Sequence, residues 1–421
     1  MIFAHGTLLP EGELPALLDG LEAELNATRS ALTLEAETVI AAVDTLGQQL
    51  ARGELDGLIA QYSPPGARKA LDQVRPLLTR QVLEQKLAIE LGPDFSTLQS
   101  RPFGAARMVP LGVLFHVAAG NQPGLPAFSA LEGLLTGNIN LIKLPRADRG
   151  LTFAILAKLV ETEPRLAPFL YAFDLPSGDT ANLERLAALA DGLVVWGGEE
   201  AVAACRRLAP VGCKLMEWGH RLSFAYLSHW EDTRADWPAL AEHIIETEGL
   251  LCSSCQVVYL DTENMEQAKK FCAAFLPLLE EAARRRAPGK RAQASLYTYE
   301  TLLEHIVDRA GADDRFFRGQ GCSLTLRSDR ELELSPLHGS VLVKCLPRQE
   351  LLSTLRRQRG KLQTAGLLCP EEEREALTSL LARTGLTRVT RAGHMSHSFP
   401  GEGHDGEYPL RRYLRVVDTE D

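Results

Sequence analysis

From Val109 onward, short apolar runs alternate with longer stretches of helical periodicity, and this alternation restricts the possible folds more than any other feature of the chain. Val113 to Ala118, Asn140 to Leu144, Leu193 to Trp196 and Gln256 to Leu260 read as strands, with helix-like sequence between them. Repeated strand, helix, strand order requires crossover connections, which favour a largely parallel sheet covered on both faces. A second series follows Cys255, with a helix over Met265 to Arg286 and strands near Ser323 to Leu326 and Val341 to Leu346. At 421 residues the chain exceeds the roughly 250–300 residues at which a single core stops growing, so two α/β units are expected. The first hundred residues read instead as helices, Leu14 to Gln49 and Ala67 to Leu91, with a break at Ser63-Pro64-Pro65-Gly66. Leu410 to Asp418 alternates enough to predict one terminal strand. Such a strand hints at an oligomer unless it pairs within its own chain.

With 45% hydrophobic, 24% charged and 6% aromatic residues, the composition is that of a globular protein with an aliphatic core. The net charge of −10 argues against gripping a nucleic-acid backbone, which needs concentrated Lys and Arg. No run of about 18 apolar residues suggests a membrane span, and the N-terminus lacks the plan of a signal peptide. A cytoplasmic location is expected. The eight cysteines are too sparse and irregular for a disulfide framework, which fits a reducing compartment.

No G-x-G-x-x-G follows an expected strand, and the P-loop, the zincin motif and the G-x-S-x-G elbow are missing from the sequence. Other positions carry chemistry. Asn121 and Lys143 fall at the carboxyl ends of two expected strands, where open parallel sheets bind ligands. Gly197 and Gly198 follow a third strand and open a helix, whose N-terminal amides suit a pyrophosphate. Glu217 precedes Cys252 by 35 residues. Taken alone, Asn121 also reads as a turn former, Lys143 as a solvated strand end and Cys252 as a core cysteine. A zinc site at Cys252-x-x-Cys255 would need two further ligands, and no second such pair exists, so no metal is expected. His394, His397, His404 and Asp405 lie among glycines and read as a polar loop near the substrate entrance, or as plain surface.

The order Pro110-x-Gly112-Val113, Asn121-x-Pro123, Thr136-Gly137-Asn138, Lys143, Gly197-Gly198, Glu217-x-Gly219 and Cys252 resembles the aldehyde dehydrogenase superfamily. Within it, Ala119-Gly120-Asn121-Gln122-Pro123, Val195-Trp196-Gly197-Gly198, Cys252-Ser253-Ser254 and His404-Asp405-Gly406 resemble the LuxC-type acyl-CoA reductases, from about Arg107 to the C-terminus. The resemblance implies a helical N-terminal region and a Rossmann-type nicotinamide-binding domain over 1–220. A second α/β catalytic domain would span 221–395, and a C-terminal segment over 396–421 would serve oligomerisation or the substrate entrance.

The activity it implies is reduction of an acyl-CoA, or another acyl thioester such as an acyl carrier's, to an aldehyde. Cys252 would be the covalent nucleophile, Asn121 the oxyanion donor and Glu217 a proton-moving group. Lys143, Gly197 and Gly198 would hold the nicotinamide cofactor. Arg146, where many NAD-preferring relatives carry an acid, favours NADPH over NADH. Cys255 departs from the family's usual proline and is a candidate reversible-disulfide partner for Cys252. His404 and Asp405 would flank the entrance, and a homo-oligomer is expected. The rival readings are a short-chain CoA-acylating aldehyde dehydrogenase, a semialdehyde dehydrogenase, and a catalytically silent scaffold of the same fold.

Overall fold

The computed structural model describes residues 1–62, 71–72, 74–102, 104–118, 120, 123–309 and 314–420. The break expected at Ser63 to Gly66 lies outside them. The chain divides into two units, Met1–Gly219 with Phe399–Asp421, and His220–Ser398.

The strands of the first unit are β1 (Ile2–Ala4), β2 (Thr7–Leu9), β3 (Gln99–Arg101), β4 (Gly104–Pro110), β5 (Val113–Val117), β6 (Ile139–Lys143), β7 (Leu170–Phe173), β8 (Gly192–Trp196) and β9 (Lys214–Trp218). Seven of them form one sheet in the order β2-β1-β7-β6-β5-β8-β9. The five from β7 to β9 run parallel. The side chains of β5, β6, β7 and β8 are almost entirely buried, as in parallel strands covered on both faces, whereas those of β9 at the edge are buried only in part. The chain leaves β5 toward β6 and β7, then returns to β8 on the other side, so β5 and β8 flank the point where ligands bind such sheets.

The helical reading of the N-terminal region holds for Leu14–Ala31 and Ala36–Ala51, whose Leu14, Leu17, Leu18, Leu21, Leu25 and Val39, Ile40, Val43, Leu46, Leu50 lie buried at helical spacing. It fails at residues 2–9. There the apolar run Ile2-Phe3-Ala4 pairs antiparallel with β7, and His5-Gly6, both at positive φ, turns the chain back into β2.

The terminal strand is also shorter than expected. Pro409–Arg412 is a helical turn, started by a proline that needs no backbone N–H there. The buried carboxylate of Glu90 accepts the N–H of Leu410 at 2.9 Å. Only then does the C-terminal strand, Leu414–Thr419, pair antiparallel with β4 of its own chain.

The second unit holds a seven-stranded sheet. In spatial order its strands are Arg315–Arg318, Ser323–Arg327, Ser340–Cys345, Cys255–Leu260, Leu222–Leu227, Leu362–Leu368 and Arg388–Arg391. All are parallel except Arg315–Arg318. Aliphatic and aromatic clusters fill both faces. Among the described residues no helix is long and apolar enough to cross a membrane.

Candidate active site

The site residues expected from the sequence fall in both units. The first holds Lys143, Arg146, Gly197, Gly198, Glu217, His404 and Asp405, the second Cys252 and Cys255. Asn121 lies outside the described residues.

Lys143 ends β6 and is buried. Its ammonium donates to Ser177 Oγ at 3.0 Å, and burial lowers its pKa against the opposing pull of Asp174. Arg146 is exposed and begins a single 3-10 turn. Beside it a cavity of about 220 Å³ is lined by Gly120, Pro123, Pro126, Pro145, Asp148 and Arg149, among others. A Cβ at Gly120 would stand 2.8 Å from Ala147 Cβ and 3.2 Å from Pro145 Cβ, so only glycine lets the backbone line this cradle. Asp148 Oδ2 accepts the N–H groups of Gly150 and Thr152 and holds the turn, while burial pushes its carboxyl upward.

Gly197 donates its N–H to Trp218 O at 3.1 Å, and Gly198 caps the helix Glu199–Leu208 with open space around its Cα. The backbone there is accessible, as a bound dinucleotide requires. Glu199 and Glu200, however, occupy the first helical turn, so carboxylates already complement the partial positive charge expected to attract a pyrophosphate. The cradle at Gly120, the lysine closing β6 and the open Gly198 turn together fit a nicotinamide dinucleotide at the carboxyl ends of this sheet.

A buried line of polar groups beneath the Gly197 turn escaped the sequence reading. Trp196 Nε1 donates to Ser129 Oγ at 3.0 Å, which lies 2.8 Å from His116 Nδ1, and His116 Nε2 lies 3.0 Å from Asn140 Oδ1. Asn140 Nδ2 donates to Asn138 O, which leaves its oxygen to accept from His116 Nε2–H. Burial holds the imidazole neutral, its pKa pushed down to about 4. A His and an Asn inside apolar strand runs were the available signal, since buried polar groups must be paired. The Trp196 ring packs against Trp218, and His404 lies 5.1 Å from one and 5.0 Å from the other between ring centroids. His404 therefore belongs to an aromatic wall at the ends of β8 and β9. Asp405 follows at positive φ with its carboxylate buried.

Glu217 lies in β9. Arg206 Nε donates to its Oε1, and Arg206 Nη2 to its Oε2 at 2.6 Å, a two-point fork across the carboxylate.

Cys252 is the exposed one of the eight cysteines. Its loop precedes the strand Cys255–Leu260 and is pinned from several sides. Leu251 and Ser254 close a turn, the Ser223 hydroxyl donates to Cys252 O at 2.6 Å, and Ser253 Oγ lies 2.8 Å from Ser396 Oγ. Glu248 and Gly249 adopt positive φ, and a Cβ at Gly249 would meet Leu337 Cδ2 at 2.8 Å. The N–H of His338 donates to Glu248 O at 2.8 Å, another contact invisible in the sequence.

Cys255 is different. It begins the strand with its thiol in the core, donating toward Val257 O at 3.4 Å, and burial pushes its pKa up to about 12. A disulfide with Cys252 would require that side chain to leave its apolar surroundings, and a thiol so rarely ionised is a slow partner in exchange. The structure thus gives the redox reading of Cys255 no support. Burial likewise pushes Cys205 and Cys345 up to about 11 and Cys322 to about 12.

Two α/β units, one of them a doubly wound sheet with a glycine cradle, and an exposed cysteine on a pinned loop define an aldehyde-dehydrogenase-like oxidoreductase fold. Solved structures agree. The methylmalonate-semialdehyde dehydrogenase of Oceanimonas doudoroffii superposes with a TM-score of 0.73 at 13% identity, over 100% of this chain and 97% of that one. A methylmalonate-semialdehyde dehydrogenase homologue from Sinorhizobium meliloti, complexed with NAD, gives 0.68 at 13% identity over 99% and 91%. At such identities the likeness shows the fold alone.

The family model for acyl-CoA reductase (LuxC) matches residues 31–416, and the chain belongs to that family. The long-chain acyl-protein thioester reductase of Vibrio harveyi is 22% identical over 369 residues, 85% of this chain and 75% of that protein. Across the curated relatives matched, the chain spans between 64% and 75% of their length.

Proposed function

We propose that this protein reduces an acyl thioester to an aldehyde by way of a thioester on Cys252, using a reduced nicotinamide. The observation that carries this reading is the exposure of Cys252 on a loop fixed at both of its neighbours, in a chain whose other seven thiols are buried or half-buried. The thiolate attacks the acyl carbon, the bond to the donor sulfur breaks, and the donor leaves as its thiol after taking up a proton. Each addition creates an oxyanion, for which the backbone N–H of Cys252 and the side chain of Asn121 are the proposed donors. When bound, a reduced nicotinamide would supply the hydride that the acyl carbon takes up. The Cys252 sulfur then leaves again, and the aldehyde departs.

Lys143, Gly197 and Gly198 are the residues that would hold the cofactor. Arg146, a cation next to the Gly120 cavity, and Arg149, which lines it, favour the 2′-phosphate of NADPH over NADH. The acyl-protein thioesters named for the relatives give the substrate class to try first, with acyl-CoA as the alternative donor. The C-terminal strand has one open edge, with Val416 and Val417 exposed, which supports a homo-oligomer. A reducing cytoplasm suits the thiol chemistry.

The test is a series of acyl-CoA chain lengths given to the purified protein with NADPH or NADH, measuring aldehyde directly. Efficiency rising with chain length supports the reading. Aldehyde formation only from the shortest chains would favour a short-chain acylating enzyme instead.

A further inference from the structure

We propose that His404 is a cofactor-contacting residue, which with Trp196 and Trp218 forms an aromatic wall for the nicotinamide ring of a dinucleotide. The inference deepens the cofactor reading above and rests on it. Its basis is the meeting of three rings within the first unit. Trp196 closes β8 and Trp218 closes β9, and the two are partners in the parallel register of these strands. Both indoles therefore stand at the same carboxyl edge of the sheet, 5.6 Å apart between ring centroids. His404 joins them from the C-terminal segment.

The fold holds the imidazole in place. His404 donates its N–H to Glu407 O at 2.8 Å, and Glu407 N–H donates to His404 O at 2.9 Å, closing a turn whose Asp405 and Gly406 are both at positive φ. Arg412 ties that turn to β9, donating to the Glu407 carboxylate and, at 2.8 Å, to Leu215 O. Trp218 is buried and Trp196 half-buried. His404 keeps 34% of its side chain accessible, so a ligand at the strand ends can reach the imidazole.

The position of the wall selects the ring. A nicotinamide dinucleotide is two nucleosides joined by a pyrophosphate, and the residues proposed to hold it follow that order along one edge of the sheet. Arg146, proposed above for the 2′-phosphate of the adenosine, follows Lys143 at the end of β6. The open Gly198 turn, proposed for the pyrophosphate, follows β8. In the sheet order β6-β5-β8-β9, three strand spacings separate Lys143 from Trp218, roughly 14 Å at the usual spacing. The second nucleoside of an extended dinucleotide then faces the wall. A flat ring packs well there by offset or edge contact, and the cationic oxidised nicotinamide gains further from the indole faces.

The experiment titrates the full-length protein by calorimetry with whichever of NADPH and NADH the parent binds more tightly. A parallel titration uses the fragment of that cofactor lacking nicotinamide, 2′-phospho-ADP-ribose or ADP-ribose. His404→Ala should weaken the dinucleotide about fivefold, the scale of one aromatic ring contact, and leave the affinity of the fragment unchanged. His404→Gln, which fills much of the space without a ring, should behave likewise. His404→Phe, which keeps a ring, should bind the dinucleotide within about twofold of the parent. A His404→Gln protein that binds the dinucleotide as tightly as the parent, or that loses dinucleotide and fragment equally, overturns the inference. So does a His404→Phe protein as weak as His404→Gln. If the parent binds neither dinucleotide, the cofactor reading itself fails, and that result is visible before any variant is compared.

Discussion

Ser223 anchors Cys252: its hydroxyl donates to the Cys252 carbonyl at 2.6 Å and accepts the N–H of Thr364 at 3.0 Å. One buried side chain thus joins the Cys252 loop to the two strands that begin at Leu222 and Leu362. Ser223→Ala leaves the Thr364 N–H and one carbonyl without this partner, for which about 1–3 kcal/mol of stability is expected to be lost. Acylation of Cys252 should slow by about tenfold, since small displacements of a reacting group are expensive. Denaturant unfolding and pre-steady-state acylation measure the two effects separately. Equal acylation rates in variant and parent would show that the anchor does not set the loop.

Cys252→Ala is expected to abolish reduction while leaving nicotinamide binding largely intact, because the proposed cofactor residues lie in the other unit. Tryptophan fluorescence with added NADPH measures binding, and aldehyde release measures turnover. Residual turnover at the parental rate would assign the chemistry elsewhere.

Stability should fall with acidification between pH 6.5 and about 4. His116 is buried and neutral, with its pKa pushed down to about 4 by burial, whereas an unfolded histidine titrates near 6.5. In that window the unfolded chain binds a proton that the folded chain refuses, so the stabilisation is complete above pH 6.5 and is lost as pH falls through the folded value. The loss amounts to ~3 kcal/mol at most from this group. His243, pushed down to about 4 by burial and by the nearby His397, acts with the same sign in the second unit. His116→Gln should flatten the pH dependence of the melting temperature, and an unchanged slope would contradict the assignment.

Arg146→Glu should shift preference from NADPH toward NADH by about tenfold or more, since it replaces a cation with a charge that repels a 2′-phosphate. The ratio of kcat/KM for the two cofactors reads this directly. An unchanged ratio would remove Arg146 from cofactor selection.

What the sequence made legible follows from length and burial. The strands ending at Val117, Lys143, Trp196 and Leu260 are apolar runs of five or six residues, bounded by turns, long enough to be read. Three-residue Ile2–Ala4 is too short for any periodicity to show, and its place in the sheet depends on β7, far along the chain. At the C-terminus, Pro409 starts a helical turn that takes up Leu410 to Arg412, the first residues of a pattern that otherwise looks like one strand.

Side-chain pairings were harder still. The Arg206–Glu217 fork depends on how a helix folds back on a strand, and the Asn140–His116–Ser129–Trp196 line crosses four elements. Cys255 reads as a partner of Cys252 in a motif, yet the strand it begins turns its thiol into the core. Burial, which decides its reactivity, is not written in the spacing.

The central claim is that the acyl group passes through Cys252, and peptide mapping by mass spectrometry tests it most directly. Protein mixed with a labelled long-chain acyl thioester should carry one acyl group on the peptide containing Cys252, and added NADPH should discharge it as aldehyde. A label on another residue, or aldehyde formed at the full rate with Cys252 never acylated, would contradict the account.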